Sequence, residues 1–81
     1  MKVVVKRKEN PVSVSIDTEY IKLQDAMKLA NAVHSGGEAK VLIQEGQVTV
    51  NGEACTMRGK KLYPGDRFGF QNQTYLITAR S

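Results

Sequence analysis

The sequence predicts an α+β domain with two short helices packed on a small antiparallel sheet. Three observations predict it. The hydrophobic period switches from two to about 3.6 and back to two along the chain. A Ser-x-x-Glu pattern at Ser35 and a glycine at Gly46 bracket one helix. An Asn-Gly pair at 51–52 and a Pro-Gly pair at 64–65 mark tight turns between β segments.

At the N-terminus, Val3–Arg7 is a β-branched run that reads as a strand and is broken by Glu9-Asn10-Pro11. Val12, Val14 and Ile16 alternate with Ser13 and Ser15, as in a half-buried strand. After the polar Asp17-Thr18-Glu19, the residues Leu23, Ala26, Met27, Ala30 and Val33 adopt helical spacing, so a first amphipathic helix is expected to end near His34. Ser35 and Glu38 form a capping-box pattern for a second helix. Ala39, Leu42 and Ile43 form its apolar stripe, and Gly46 occupies the position where a left-handed residue ends a helix. Gln47–Val50 and Glu53–Met57 then read as a hairpin across Asn51-Gly52. Arg58–Lys61 is a basic loop, Tyr63–Asp66 a type II turn, and Arg67–Phe70 and Thr74–Thr78 two strands around the polar loop 71–73. The alternation of Phe68, Phe70 and Tyr75 assigns them to the sheet and core, and Tyr63 is read first as packing on or bracing the Pro-Gly turn, with base stacking as the lesser alternative.

Eighty-one residues allow one domain, organised as a basic extension over residues 1–11, expected to be a strand, and a folded unit over 12–81. A chain of this size buries only about 60–65% of the surface that its unfolded form exposes, so its stability margin is thin. No apolar run is long enough to span a bilayer or to form the core of a signal peptide, which points to the cytoplasm. A single cysteine, Cys55, forbids an internal disulfide, and one histidine, His34, leaves too few ligands for a zinc site. Cys55 reads as a strand residue and His34 as the end of the first helix. Gly36-Gly37 precedes a helix but lacks the Walker and Rossmann spacings. No nucleophile–histidine–acid order and no paired carboxylates are visible. Catalytic residues, metal ligands and cofactors are therefore all expected to be absent.

The charge is more informative. Twelve Lys and Arg against eight Asp and Glu give a net charge of +4, concentrated in two blocks. Lys2, Lys6, Arg7 and Lys8 lie at the N-terminus; Arg58, Lys60, Lys61 and Arg67 lie after the hairpin. Blocks of this kind form a phosphate-facing patch when a fold brings them together. The N-terminal lysines read first as a solvated strand edge.

Leu42-Ile43-x-x-Gly46-x-Val48-x-Val50-Asn51-Gly52 resembles the core signature of the S4 RNA-binding domain. Four further stretches look like the small stand-alone bacterial S4-like proteins of the YaaA/YbcJ type: Tyr20-Ile21-x-Leu23, Ser35–Lys40, Val50–Glu53 and Arg58-Gly59-x-Lys61-Leu62-Tyr63-Pro64-Gly65-Asp66. The resemblance spans about residues 14–70 and implies the S4-like (alpha-L) fold, with an RNA-binding surface on the helix pair and the adjoining loops. S4 domains often carry arginine directly after the serine, where this chain has Gly36, and the related branch tends to have a second arginine where Met57 stands. The candidate contacts are Lys22 and Lys28 on the first helix, the Gly36 and Gly37 amides, Lys40 on the second helix, and Arg58, Lys60 and Lys61 in the loop. Helix N-termini favour anions, and a glycine such as Gly59 lets backbone approach a ligand. The expected function is non-catalytic docking of structured RNA, with ribosomal RNA as the candidate from family analogy, by a monomer. The competing reading is a protein-interaction module that meets an acidic or ribosomal protein partner on the same scaffold.

Overall fold

Alternation at the start of the described chain produces strand β1, Val12–Ile16, with Val14 and Ile16 buried and Ser13 and Ser15 exposed. The computed structural model describes residues 11–80, so the Val3–Arg7 strand and the N-terminal cations lie outside the described residues. Three pairs of neighbouring strands form the rest of the main sheet or brace the helices. β3 (Thr49–Val50) and β4 (Glu53–Ala54) flank Asn51-Gly52; β6 (Arg67–Phe70) and β7 (Gln73–Ala79) flank Gln71-Asn72; and β2 (Ile21–Lys22) pairs with β5 (Lys61–Leu62). The five-stranded sheet runs β1-β7-β6-β3-β4, and β2-β5 forms a separate two-stranded sheet.

The main sheet departs from the sequence reading in direction and in one of its turns. The sheet is not wholly antiparallel, because β1 lies parallel to β7, with Val14 opposite Ile77 and Ser15 opposite Thr78. Alternation fixes which face is buried, but only a connecting turn fixes direction, and these are the first and last described strands. The 71–73 loop is also tighter than expected. Gln71 (φ 52°) and Asn72 (φ 65°) are both left-handed, making a two-residue hairpin that lets β7 begin at Gln73.

Helix α1 is Leu23–Leu29 and helix α2 is Gly36–Gln44. The first was expected to run to His34. It stops earlier because Asn31 is left-handed (φ 62°), with its N–H donated to Lys28 and that of Ala32 to Met27, a Schellman stop. Val33 is still buried, so it continues the apolar spacing from a non-helical segment. His34 consequently precedes α2 instead of closing α1. Helix α2 ends by the same device at Gly46 (φ 77°), where Gly46 N–H meets Ile43 and Gln47 N–H meets Leu42. At its start Ser35 Oγ accepts from Glu38 N–H at 3.2 Å. The reciprocal bond of the Glu38 carboxylate goes to His34 N–H (2.9 Å), one residue upstream of the usual capping-box donor.

The core lies between the helix pair and the sheet. Leu23, Met27, Ile43, Val48, Leu62, Phe68 and Ile77 are fully buried within it, and Phe68 stacks on Tyr75 with centroids 4.6 Å apart. Cys55 follows β4, half-buried, with its N–H on the Val48 carbonyl.

One carboxylate links two turns. Asp66 Oδ2 accepts from Tyr63 N–H (2.8 Å), and Oδ1 accepts from Asn51 Nδ2 (3.3 Å). Asn51 Oδ1 in turn accepts from Arg67 N–H (3.0 Å). Gly65, at φ 101°, supplies the left-handed turn residue and donates its N–H to the Ile77 carbonyl. Asp66→Ala removes both acceptors and should cost about 1–3 kcal/mol in urea unfolding, without changing the far-UV spectrum at low denaturant.

Candidate nucleic-acid interface

Position 22 closes β2 and is the N-cap of α1, but Lys22 offers no side-chain cap. The orphan donors at that helix start are satisfied from far along the chain: Leu23 N–H donates to the Lys60 carbonyl (2.9 Å) and Gln24 N–H to the Arg58 carbonyl (3.2 Å). Lys60 N–H closes a turn onto the Met57 carbonyl (3.1 Å). The 57–60 turn is therefore seated on the start of α1, with Arg58 and Lys60 exposed. These bonds consume the first two donors of α1.

Lys61 does not belong to the loop but to β5, directly across from Lys22. Ile21 and Leu62 pair beside them, with Leu62 buried, so alternation turns Tyr20, Lys22, Lys61 and Tyr63 to the opposite, outer face. Tyr20 and Tyr63 lie with ring centroids 5.8 Å apart at 49°, and Lys61 Nζ sits 4.8 Å from the Tyr20 ring centre. Like charges opposed across a strand pair repel. Neither lysine is ion-paired to a described residue, so the repulsion is not neutralised locally.

A second group forms where α1 ends and α2 begins. Lys28 Nζ lies 3.8 Å from the point that a Cβ on Gly36 would occupy, and pairs with Asp25 at 3.5 Å. The N–H groups of Gly36 and Gly37 have no acceptor among the described residues. Lys40 is exposed one turn into α2, and no hydrogen bond or ion pair joins it to the 57–60 turn. Along α1, Lys22 and Lys28 are separated by about 9 Å at the usual rise of 1.5 Å per residue. The eight residues singled out by sequence thus form two groups at opposite ends of α1. Sequence reasoning missed Tyr20, and for Tyr63 it put bracing of the turn ahead of an outward, base-stacking ring. The available signal was the period of two in Tyr20-x-Lys22 and Lys61-x-Tyr63.

Among the described residues, no three His, Cys, Asp or Glu side chains cluster as a metal site, and no helix is long and apolar enough to cross a membrane. The sequence profile described as the S4 domain matches residues 14–78. The chain belongs to the S4 domain family. A Bacillus subtilis protein, "Probable ribosome maturation protein RlbA", is 51% identical over 57 residues, covering 70% of this chain and 78% of that protein. The Escherichia coli "Putative RNA-binding protein YbcJ" is 33% identical over 60 residues, covering 74% and 86%. The solution structure of E. coli YbcJ, described as revealing an alphaL motif involved in RNA binding, superposes with a TM-score of 0.67 at 29% identity. That match covers 96% of this chain and 100% of YbcJ. The helix pair and adjoining hairpin of this S4 domain therefore have the S4-like, alpha-L architecture.

Outside the sheet residue Gly69, where a Cβ would crowd Thr49 Oγ1 at 2.8 Å, the glycines separate into two kinds. Gly46, Gly52 and Gly65 hold positive φ, whereas Gly36, Gly37 and Gly59 do not. A Cβ at Gly36 or Gly37 would meet nothing closer than 3.8 Å, and at Gly59 nothing within 4 Å. In the first turn of α2 the fold would accept alanine. Gly37→Ala should raise stability by about 0.5 kcal/mol, read as an increase in the urea midpoint at unchanged slope.

Proposed function

We propose that this S4 domain is a non-catalytic RNA-binding protein that docks structured RNA. It does so through the basic surface of the helix pair and the 57–61 segment. The observation that carries this reading is the set of exposed cations Lys22, Lys40, Arg58, Lys60 and Lys61, none ion-paired to a described residue. Four of them, Lys22, Arg58, Lys60 and Lys61, are fixed around the start of α1 by main-chain hydrogen bonds and strand pairing. The Gly36 and Gly37 amides with Lys28 supply a second contact point at the far end of α1, where backbone donors and helix dipole favour a phosphate.

Double-stranded RNA hides its base edges in a narrow major groove, so a rigid patch of cations reads the spacing of phosphates and not the sequence. The ligand proposed is ribosomal RNA or a ribosome-assembly particle, a reading supported by the name of the B. subtilis relative. The protein acts as a cytoplasmic monomer, a setting that suits its one unpaired thiol, Cys55.

The test is binding to a structured RNA, a single strand and a DNA duplex at two salt concentrations. Affinity for the structured RNA should fall with salt, by roughly 0.7–0.9 log units per log unit of salt for each phosphate contacted. Lys60→Glu/Lys61→Glu should weaken RNA binding roughly ten-fold or more and flatten the salt slope by about 1.5, while leaving the protein folded. A folded double variant that binds as wild type removes this segment from the site. Absence of any salt-sensitive RNA binding at low ionic strength overturns the reading in favour of an acidic protein partner.

A further inference from the structure

We infer that the outer face of the β2–β5 pair holds an unpaired nucleobase, stacked on the Tyr63 ring, with the adjoining phosphates on Lys22 and Lys61. This rests on the RNA-binding reading and adds to it a preference for RNA that carries an unstacked nucleotide.

The Tyr63 side chain has no role in the turn that it begins. The turn is closed by main-chain atoms, with Tyr63 N–H on Asp66 Oδ2 (2.8 Å) and the Tyr63 carbonyl accepting from Asp66 N–H (2.8 Å). Tyr63 as a residue is 43% exposed, whereas Phe68 and Tyr75 fill the core with their stacked rings. Its hydroxyl makes no hydrogen bond to a described residue. Tyr20, half-buried, backs the ring at 5.8 Å and is itself covered by Lys61, so the pair is held in place from one side. An exposed, backed aromatic ring among cations has the make-up of a single-strand stacking platform, in which the ring takes a base face and the cations take the backbone.

The charge distribution sets the direction of approach. The groove along β2 past Tyr20 and Lys22 also has Glu19 and Asp25 on its wall, which disfavours phosphate there. On the β5 side the neighbours are Lys61 and, in the preceding turn, Lys60 and Arg58. A phosphodiester entering from that side meets the opposed Lys22 and Lys61 and neutralises their repulsion. A base in a continuous helix presents no free face, so the nucleotide on Tyr63 must come from a bulge, a loop or an end.

The test uses the full chain with an RNA hairpin carrying a single-adenosine bulge and the fully paired hairpin of equal length. Wild type should bind the bulged hairpin more tightly. Tyr63→Ala should weaken that binding about ten-fold, bringing it to the affinity of the paired hairpin, and Tyr63→Phe should retain the preference. With 2-aminopurine in the bulge, fluorescence should fall on binding wild type and stay unchanged with Tyr63→Ala. Thermal unfolding checks that the alanine variant is folded; if it is not, Tyr63→Leu, which keeps apolar bulk but no ring, takes its place. Equal affinity of wild type for the two hairpins, or an unaltered preference in the folded variant, overturns the inference and leaves the RNA-binding reading standing. No salt-sensitive binding to either hairpin overturns both.

Discussion

Two main-chain hydrogen bonds, from Leu23 and Gln24 to the carbonyls of Lys60 and Arg58, hold the domain in its working arrangement. Helix α1 has seven residues and no side-chain cap, and a helix that short does not persist in water alone. Its start is completed by chain that comes more than thirty positions later. The dependence runs both ways. The 57–60 turn has a single internal hydrogen bond, and its seat on α1 is what gives Arg58 and Lys60 a fixed place. The arrangement carries an electrostatic cost, since cations gather at the positive end of a helix, with only Asp25 in the first turn as a counterweight. A domain this small cannot spread such a cost over a large core. The cost makes physical sense for a surface whose charge is cancelled by a ligand.

Much of the fold is legible in local sequence because the decisive devices are local. Ser35-x-x-Glu38, Gly46, Asn51-Gly52 and Pro64-Gly65 each act within four residues, and each appears where its chemistry places it. What was not legible is non-local or masked. Asn31 ends α1 inside an apolar pattern that Val33 carries on by being buried from a loop. The parallel pairing of β1 with β7 joins segments about sixty residues apart, with no turn between them to announce its direction. The β2–β5 pair is two residues per strand, too short for periodicity to register, and Lys61 therefore read as loop.

The candidate site was legible as a list of cations but not as an arrangement. Charge blocks in the sequence named Arg58, Lys60 and Lys61, yet Lys22 is opposed to Lys61 only because β2 and β5 pair. Glycines were equally ambiguous as letters. Positive φ makes Gly46, Gly52 and Gly65 requirements of the backbone, while Gly36, Gly37 and Gly59 have ordinary φ and open space. A helix start that forgoes alanine at two consecutive positions loses stability for no internal gain. The proposed phosphate contact would supply a reason, because the unpaired amides and open approach at Gly36 and Gly37 would let a phosphate reach main-chain donors that a side chain would screen.

Rigidity matters as much as charge for such a surface. Lysines on a flexible loop must be ordered when they bind, and that entropy is subtracted from affinity. Here the backbone under each central cation is already fixed: Lys22 and Lys61 by strand pairing, and Arg58 and Lys60 by their carbonyls on α1. Only side-chain freedom remains to be lost. The same framework is anchored further by Asp66, which ties Tyr63 to the Asn51-Gly52 hairpin and through Ile77 to the centre of the sheet. The face bearing Tyr63 is thus connected to the hydrophobic core through main-chain hydrogen bonds. On the proposed reading, a phosphate array would meet donors whose spacing was set when the protein folded, and recognition of RNA shape would follow from the way that α1 is capped.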